Sequence, residues 1–220
     1  MAKELAIVLN NGSLNSAVVT TLAAQKYRPI LVYIESAADG SSRSHAAYDQ
    51  QVDHFKPYRE HTLRMPFLAL LQPQSSAAAH ALDPRQSSLL APRFTDLLPI
   101  VSIGLRLAVY YQAAAVYVGL RVGSGPNELT AATEFIQIFN ELIQLPCHQP
   151  ELEMTAPLLE LEPWQVVDVG YQVSAPFDRT WSCLEEKGVP CLVCTNCRVR
   201  EAAFQQAGKI DPLRRPANKS

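Results

Sequence analysis

The sequence lacks a basic stripe, and this absence narrows the classes of function that it can serve. Its 220 residues carry 19 Lys and Arg against 21 Asp and Glu, for a net charge of −2. Proteins that hold a nucleic-acid backbone without sequence preference concentrate positive charge on one face. We therefore expect no direct nucleic-acid partner.

The sequence also lacks a long apolar run near its start. The run Leu5–Leu9 is much too short to cross a membrane, and no small-residue cleavage site follows it. We expect a cytoplasmic protein with no membrane partner. The 5 cysteines of the chain would stay reduced in that compartment.

Short apolar runs alternate with stretches of helical pattern in the first part of the chain. Two runs, Leu5–Leu9 and Ile30–Ile34, are typical of strands buried on both faces of a parallel sheet. The segment from Leu14 to about Lys26 between them predicts a helix. A strand–helix–strand order of this kind predicts an α/β fold with right-handed crossover connections.

The alternation continues along the rest of the chain. Residues 72–92, which are rich in Pro and Ser, predict a long loop or insertion of the kind that often covers an active site. Further strands are predicted within 63–71, 115–119 and 152–155, and further helices over 44–58, 97–113, 130–145, 163–171 and 198–206.

Four of the cysteines lie close together near the C-terminus, and they are the strongest chemical signal in the sequence. Cys183 is followed by Cys191, Cys194 and Cys197, the last three in C-x-x-C spacing. Four thiolates that reach one ion form the closed tetrahedral site that structural zinc prefers. An iron–sulfur cluster is the alternative metal centre, whereas disulfides fit poorly in a reducing compartment. Cys147 is expected to be an ordinary thiol.

The turn after the first predicted strand is a second candidate site. Its six residues precede or open the predicted helix: Asn11, Gly12, Ser13, Leu14, Asn15 and Ser16. In open α/β sheets ligands bind beyond the carboxyl ends of the strands, and a helix N-terminus offers free amides and the positive end of its dipole to phosphate. For the turn taken alone, helix capping is the more ordinary explanation.

Three arginines are candidates for binding phosphate or carboxylate through their planar guanidinium groups: Arg93, Arg106 and Arg121. The simpler explanation for each is an exposed surface side chain, because most arginines are exposed. The sequence does not choose between these explanations.

The turn and the cysteine cluster together resemble a known enzyme family. The C-terminal pattern has a Thr-x-Ser-Cys stretch, three closely spaced cysteines, an Arg, a short Ala-Phe helix, then Gly and Asp-Pro. It is made up of Thr180, Trp181, Ser182, Cys183, Cys191, Cys194, Cys197, Arg198, Arg200, Glu201, Ala202, Ala203, Phe204, Gly208, Asp211 and Pro212. This order resembles that of the 7-cyano-7-deazaguanine synthases, the QueC or ExsB family of PP-loop ATP pyrophosphatases.

The resemblance implies a PP-loop fold, which is a doubly wound parallel sheet, followed by a zinc-binding knuckle. We accordingly expect a nucleotide-binding-type α/β domain over residues 1–175 and a zinc-binding segment over residues 176–220. The family converts 7-carboxy-7-deazaguanine, ammonia and ATP into the nitrile 7-cyano-7-deazaguanine, in queuosine biosynthesis. The resemblance thus implies structural Zn²⁺, ATP with Mg²⁺, a deazapurine-type substrate and a homodimer.

The chain departs from the family pattern at positions expected to contact ligands. Where the family has Ser-Gly-Gly-x-Asp-Ser, the chain has Asn11, Ser13 and Asn15 in place of the first serine, the second glycine and the aspartate. Ser13 would add a Cβ where a positive φ is expected, and Asn15 removes a charge that helps to organise Mg²⁺. The family's Tyr-Pro-Asp-Cys-Arg stretch is missing after Gly119.

Two hypotheses for function follow. In the first, the chain is a QueC-like ATP-dependent ligase with altered chemistry, which activates a carboxylate for attack by ammonia or an amine. In the second, it is a catalytically inactive, zinc-stabilised scaffold or binding protein that serves a protein partner. The first hypothesis predicts binding of ATP with Mg²⁺, and the second predicts weak binding or none.

Overall fold

The computed structural model describes residues 3–35, 42–68, 94–122, 126–147, 151–185 and 188–214. Within these ranges one parallel sheet contains β1 (Leu5–Leu9), β2 (Arg28–Glu35), β3 (Arg59–Arg64), β4 (Ala115–Val118) and β5 (Glu153–Thr155). The strand order is β3-β2-β1-β4-β5. The order reverses between β1 and β4, and ligands of open α/β sheets bind at such a reversal.

Helices cover both faces of this sheet. They are α1 (Leu14–Lys26), α2 (Arg43–Phe55), α3 (Phe94–Tyr111), α4 (Pro126–Cys147), α5 (Pro163–Gln172) and α6 (Thr195–Gln206). Successive strand residues point to opposite faces, so Ile7 packs in one core with residues of α3 and α4, whereas Val8 packs in the other with α1, α2, α5 and α6. The predicted α/β class and doubly wound parallel sheet are therefore confirmed.

Several boundaries differ from the sequence predictions, and two of these differences, at β3 and α2, have identifiable reasons. The third strand is Arg59–Arg64, and its predicted position within 63–71 is wrong. As an edge strand with mostly exposed side chains, it has no apolar run to mark it. Helix α2 ends at Phe55, before the predicted 58, because Lys56 adopts a left-handed φ of 46° and Pro57 follows.

The described residues do not include every segment for which the sequence analysis made a prediction. The long loop predicted over residues 72–92 lies outside them. Of the helices that the structure describes, none is both long and apolar enough to span a membrane.

Candidate active site and metal centre

The loop between β1 and α1 turns at Gly12, where φ is +76°. A Cβ at this position would lie 2.2 Å from the carbonyl oxygen of Ser44, so only glycine fits. Ser13 has ordinary extended dihedral angles, with φ −77° and ψ 170°. The expectation of a positive φ at Ser13 is therefore wrong, and Ser13 instead caps α1 by accepting a hydrogen bond from the backbone N–H of Ser16.

Side-chain oxygens of the loop accept hydrogen bonds from most of the loop's own backbone N–H groups. Asn11 Oδ1 accepts hydrogen bonds from the Ser13 N–H (3.2 Å) and the Ser16 hydroxyl (2.7 Å). The Ser16 hydroxyl oxygen accepts from the Asn11 N–H at 3.2 Å, and Asn10 Oδ1 accepts from the Gly12 N–H at 2.8 Å. Backbone N–H groups before a helix are donors that a phosphate could use, and here side-chain oxygens accept from them. The loop thus holds its shape through internal hydrogen bonds.

Asn10 anchors the loop in the protein interior. Its buried side chain donates to Thr20 Oγ1 at 3.1 Å and to Gln51 Oε1 at 2.9 Å. Gln51, also buried, donates to the carbonyl oxygen of Arg179 at 3.0 Å. This neutral network joins α1, α2 and the segment that leads to the cysteines, and its fully paired groups stabilise the loop. Sequence reasoning missed both residues, because an isolated Asn or Gln forms no pattern.

The end of β4 approaches the first turn of α1 closely. A Cβ at Gly119 would lie 3.3 Å from backbone atoms of Asn15 and Ser16, which explains the glycine. Asn15 Nδ2 donates to the carbonyl oxygen of Gly119 at 3.3 Å. An ionised aspartate has no donor and could not make this bond. Asn15 therefore contributes a structural contact that the family's aspartate would lack in this conformation.

Two cavities meet at this edge of the sheet. The first, of about 300 Å³, lies beyond the carboxyl ends of β1, β2 and β4. The second, of about 590 Å³, lies between the loop and the C-terminal segment. Four residues line both: Asn11, Ser13, Asn15 and Arg121. A further cavity of about 610 Å³ lies between α4 and residues 156–161 and includes neither the loop nor the cysteines.

Of the three candidate arginines, the structure brings Arg121 to these cavities. Arg121 is half-buried, and its Nη1 donates to the carbonyl oxygen of Val122 at 3.2 Å. Burial lowers the pKa of the Arg121 guanidinium, while the negative charge of Glu162 opposes this shift. Arg106 is exposed on α3 and lines neither cavity, and Arg93 lies outside the described residues.

The four cysteines come together as their spacing predicted. The sulfurs of Cys183, Cys191, Cys194 and Cys197 lie within 4.8 Å of one another, and no disulfide joins them. One tetrahedral ion with thiolates at about 2.3 Å holds its sulfurs about 3.8 Å apart, close to the 4.0 Å between Cys194 and Cys183. These residues fit a metal ion, and the cluster could bind one.

Backbone N–H groups point at the cysteine sulfurs. Cys183 Sγ accepts hydrogen bonds from the amides of Glu185 and Cys191, each at 3.3 Å. The Cys194 side chain accepts from the Cys197 N–H and so caps α6, which begins at Thr195, three residues before the predicted 198. These donors stabilise sulfur in its thiolate form.

The cysteines differ in acidity because their surroundings differ. Backbone hydrogen bonds from Val193 and Cys194 lower the pKa of Cys191 to about 6. Burial raises the pKa of Cys183 and Cys197. A bound metal cation would oppose the effect of burial, since it stabilises thiolates directly.

Arg200, within α6, joins residues 180–182 to Asp211 in the segment that follows this helix, a role that the sequence did not indicate. Its buried guanidinium donates to both carboxylate oxygens of Asp211, at 2.7 and 2.9 Å. It also donates to Thr180 Oγ1 at 2.8 Å and Ser182 Oγ at 3.2 Å. Arg198, the arginine that directly follows Cys197, is exposed, and it is Arg200 that binds Ser182. In the sequence, Arg200 and Asp211 appear only as members of the C-terminal family pattern, and nothing there indicates that they pair.

Trp181 connects the loop to the metal centre. Its side chain belongs to one buried cluster with Cys183, Cys194 and Cys197, and its backbone N–H donates to the Gly12 carbonyl at 2.9 Å. The loop and the cysteines are thus parts of one edge of the protein.

Comparisons of the sequence with known proteins point to one family. The family model described as queuosine biosynthesis protein QueC matches residues 5–208. The 7-cyano-7-deazaguanine synthase of Chloroherpeton thalassium is 27% identical over 219 residues, which cover 94% of this chain and 95% of that protein. The synthase of Koribacter versatilis is 23% identical over 217 residues, with 94% and 92% covered.

Likeness to solved structures is more distant. NMN synthetase from Francisella tularensis has a TM-score of 0.48 and 13% identity, with 95% of this chain and 79% of that chain covered. The family assignment rests instead on the match over residues 5–208, which spans nearly the whole chain and includes both the loop and the four cysteines. The chain therefore belongs to the QueC family, which has the ATP pyrophosphatase fold.

Proposed function

We propose that this chain is an ATP-dependent carbon–nitrogen ligase of the 7-cyano-7-deazaguanine synthase type. The observation that carries the proposal is the pair of cavities that adjoin at the β1–α1 loop. A ligase of this kind must hold a nucleotide and an acid with the α-phosphate beside the carboxylate. Two cavities with four lining residues in common are suited to that task.

The first cavity is the better candidate for the nucleotide. It lies at the reversal of strand order, where nucleotides bind in open α/β sheets. It also borders the first turn of α1, whose dipole favours negative charge. We assign the second cavity to a deazapurine-type acid, because Trp181 supplies an aromatic surface and Ser182 and Asn196 supply polar groups in its lining.

The chemistry requires activation because a carboxylate is a poor electrophile. Its oxygen would attack the α-phosphorus of ATP, and pyrophosphate would leave. Ammonia would then displace AMP to give the amide. The amide oxygen would attack the α-phosphorus of a second ATP with release of a second pyrophosphate, and loss of AMP and the remaining N–H protons would give the nitrile. The protein would contribute positioning of the two substrates and stabilisation of the charge that develops on phosphate.

The cavity linings do not fit a magnesium ion held directly by the protein. Magnesium in nucleotide sites is usually bound through one or two carboxylates, and no Asp or Glu lines either cavity within the described ranges. Magnesium would thus arrive on the nucleotide, and no step proposed for these side chains depends on a protein-held ion.

We assign zinc to the cysteine cluster. The close spacing of the four sulfurs suits a single tetrahedral ion with thiolate ligands, in which no position is left open for a substrate. An iron–sulfur cluster binds its four thiolates to more than one iron, which separates the sulfurs further. The metal would be structural, holding the wall of the second cavity that contains Cys183.

A second candidate function, a non-catalytic scaffold, is favoured by the loop itself. Its amides already have partners in Asn10 and Asn11, and Asn15 stands in place of an aspartate. A loop satisfied in this way does not need a phosphate to hold its shape. In this candidate the fold would be retained for a protein partner.

Isothermal titration of the metal-loaded protein with ATP and magnesium separates these candidates. Micromolar binding, followed by AMP formation that requires both 7-carboxy-7-deazaguanine and ammonia, is the result expected of the ligase. Reactions that omit the acid or the ammonia are the controls. No detectable binding at millimolar ATP would overturn the ligase proposal and favour the scaffold.

A further inference from the structure

The junction of the two cavities carries an unbalanced positive charge. Their linings contain two basic side chains, Arg121 and Arg200, and no carboxylate in the part of the chain that the structure describes. Arg200 is neutralised by the bidentate contact with Asp211. Arg121 is therefore the one basic side chain of the two linings that has no hydrogen-bonded carboxylate among the described residues, although the charge of Glu162 acts on it.

Among the described residues, Arg121 uses one of its hydrogen-bond donor groups. A guanidinium has five N–H donors, and the bond that Arg121 makes goes to the neutral carbonyl of Val122 at 3.2 Å. It forms no ion pair with any Asp or Glu in the described ranges. Burial is the larger influence on this half-buried arginine and the charge of Glu162 opposes it only in part, so an anion that binds beside the guanidinium would supply the remaining compensation.

A second buried donor in the same lining has no partner. The indole Nε1 of Trp181 is buried and finds no hydrogen-bond acceptor among the described residues. Buried polar groups in proteins are nearly always paired, so an unpaired donor in a cavity wall indicates an acceptor on a ligand. In the described part of the chain, the Trp181 indole thus lacks an acceptor, and the Arg121 guanidinium has only the neutral carbonyl of Val122.

We propose that Arg121 binds an oxyanion group, phosphate or carboxylate, at the junction of the two cavities, without a metal ion held by the protein. The guanidinium fork matches the paired oxygens of both groups, and it supplies the positive charge that a carboxylate-bound magnesium ion would otherwise supply. The inference deepens the proposed function and relies on it for the identity of the ligands. It makes Arg121 a specificity-determining residue in the segment where the chain departs from the family pattern.

Binding of inorganic pyrophosphate, measured by isothermal titration with and without magnesium, tests this assignment. We expect wild-type affinity to change by less than about threefold when magnesium is omitted, and Arg121→Gln to weaken binding about tenfold or more. Arg121→Lys should recover part of the loss, because lysine keeps the charge but not the planar fork. Arg106→Gln, at an exposed arginine outside both cavities, is the matched control and should bind as wild type does.

Titration with 7-carboxy-7-deazaguanine in the same variants identifies the source of the oxyanion. Weaker binding of pyrophosphate alone in Arg121→Gln would assign Arg121 to phosphate, and weaker binding of the acid alone would assign it to the carboxylate. The proposal is overturned if wild type binds neither ligand without magnesium, or if Arg121→Gln binds both as tightly as Arg106→Gln. Oxyanion binding without AMP formation would retain this inference and overturn the proposed ligase activity.

Discussion

The β1–α1 loop and the cysteine segment are joined by the hydrogen bond from the Trp181 N–H to the Gly12 carbonyl, yet they satisfy their polar groups in different ways. In the loop, backbone donors are paired with side-chain oxygens of Asn10 and Asn11. In the cysteine segment, backbone donors point at sulfurs that still need a cation. The difference predicts that the segment depends on the proposed metal for its structure, whereas the loop does not depend on a nucleotide.

Removal of a metal ligand should therefore have the largest effect. Cys194 is fully buried among the other sulfurs, and serine is a much poorer ligand for a soft-metal site. Structural zinc contributes on the order of 10 kcal/mol to folding of small metal sites. We expect Cys194→Ser to lose bound metal and to unfold at markedly lower temperature, as measured by elemental analysis and thermal denaturation. Cys147→Ser is the control, and equal metal content in both variants would contradict the assignment.

Breaking the buried pair of Arg200 and Asp211 should have the second largest effect on stability. Arg200→Ala would leave the Asp211 carboxylate buried without its partner, at a cost of about 3–5 kcal/mol in the free energy of unfolding. Urea denaturation measures this loss. The double variant with Asp211→Leu should recover part of it, because the unpaired charge is gone. A single variant as stable as wild type would show that the pair does not hold the segment in place.

Substitution of Gly12, where the loop turns, should reduce stability almost as much. Gly12→Ala would impose both the cost of a positive φ and a clash with the Ser44 carbonyl, about 2–4 kcal/mol together. Gly208 also has a positive φ, +65°, but a Cβ there meets nothing within 4 Å. Gly208→Ala should thus cost only about 1 kcal/mol. Equal losses of unfolding free energy in the two variants would mean that the clash at Gly12 is relieved by movement of α2.

Restoration of the family pattern in the loop should have the smallest effect on stability and a larger one on binding. Ser13→Gly removes a helix cap at a cost of a few tenths of a kcal/mol. Asn15→Asp loses the bond to the Gly119 carbonyl, at about 1 kcal/mol, but adds a carboxylate beside the first cavity. We expect Asn15→Asp to strengthen binding of ATP with magnesium about tenfold, with Ser13→Gly adding little.

Titration of both single variants and the double variant measures these contributions. The dihedral angles of Ser13 are compatible with any residue, so a large gain from Ser13→Gly alone would contradict the assignment of Gly12 as the strained position. A gain of turnover in the double variant would show that the remaining site is intact. If turnover does not increase, the missing activity is attributed to the segment after Gly119, which lacks the family's Tyr-Pro-Asp-Cys-Arg stretch.

Prediction from sequence succeeded where the signal was local. The C-x-x-C spacing predicted a cluster of sulfurs, because residues three apart at a helix start lie close together in any chain. The apolar runs of β1 and β2 predicted buried parallel strands. At β3 the same reasoning misplaced the strand, because an edge strand is recognised by its pairing with β2 and not by its composition.

The sequence by itself determined the class of fold, the four metal-ligand candidates and the turn that opens α1, since each depends on residues close together in the chain. Only the tertiary structure decided which arginine borders the cavities, that Asn10 pairs with Gln51, and that Arg200 pairs with Asp211. Those contacts depend on how the connections after β1, β2 and β4 bring distant segments to one edge of the sheet. Equivalent side chains on the surface and in the cavity, such as Arg106 and Arg121, cannot be told apart until that packing is known.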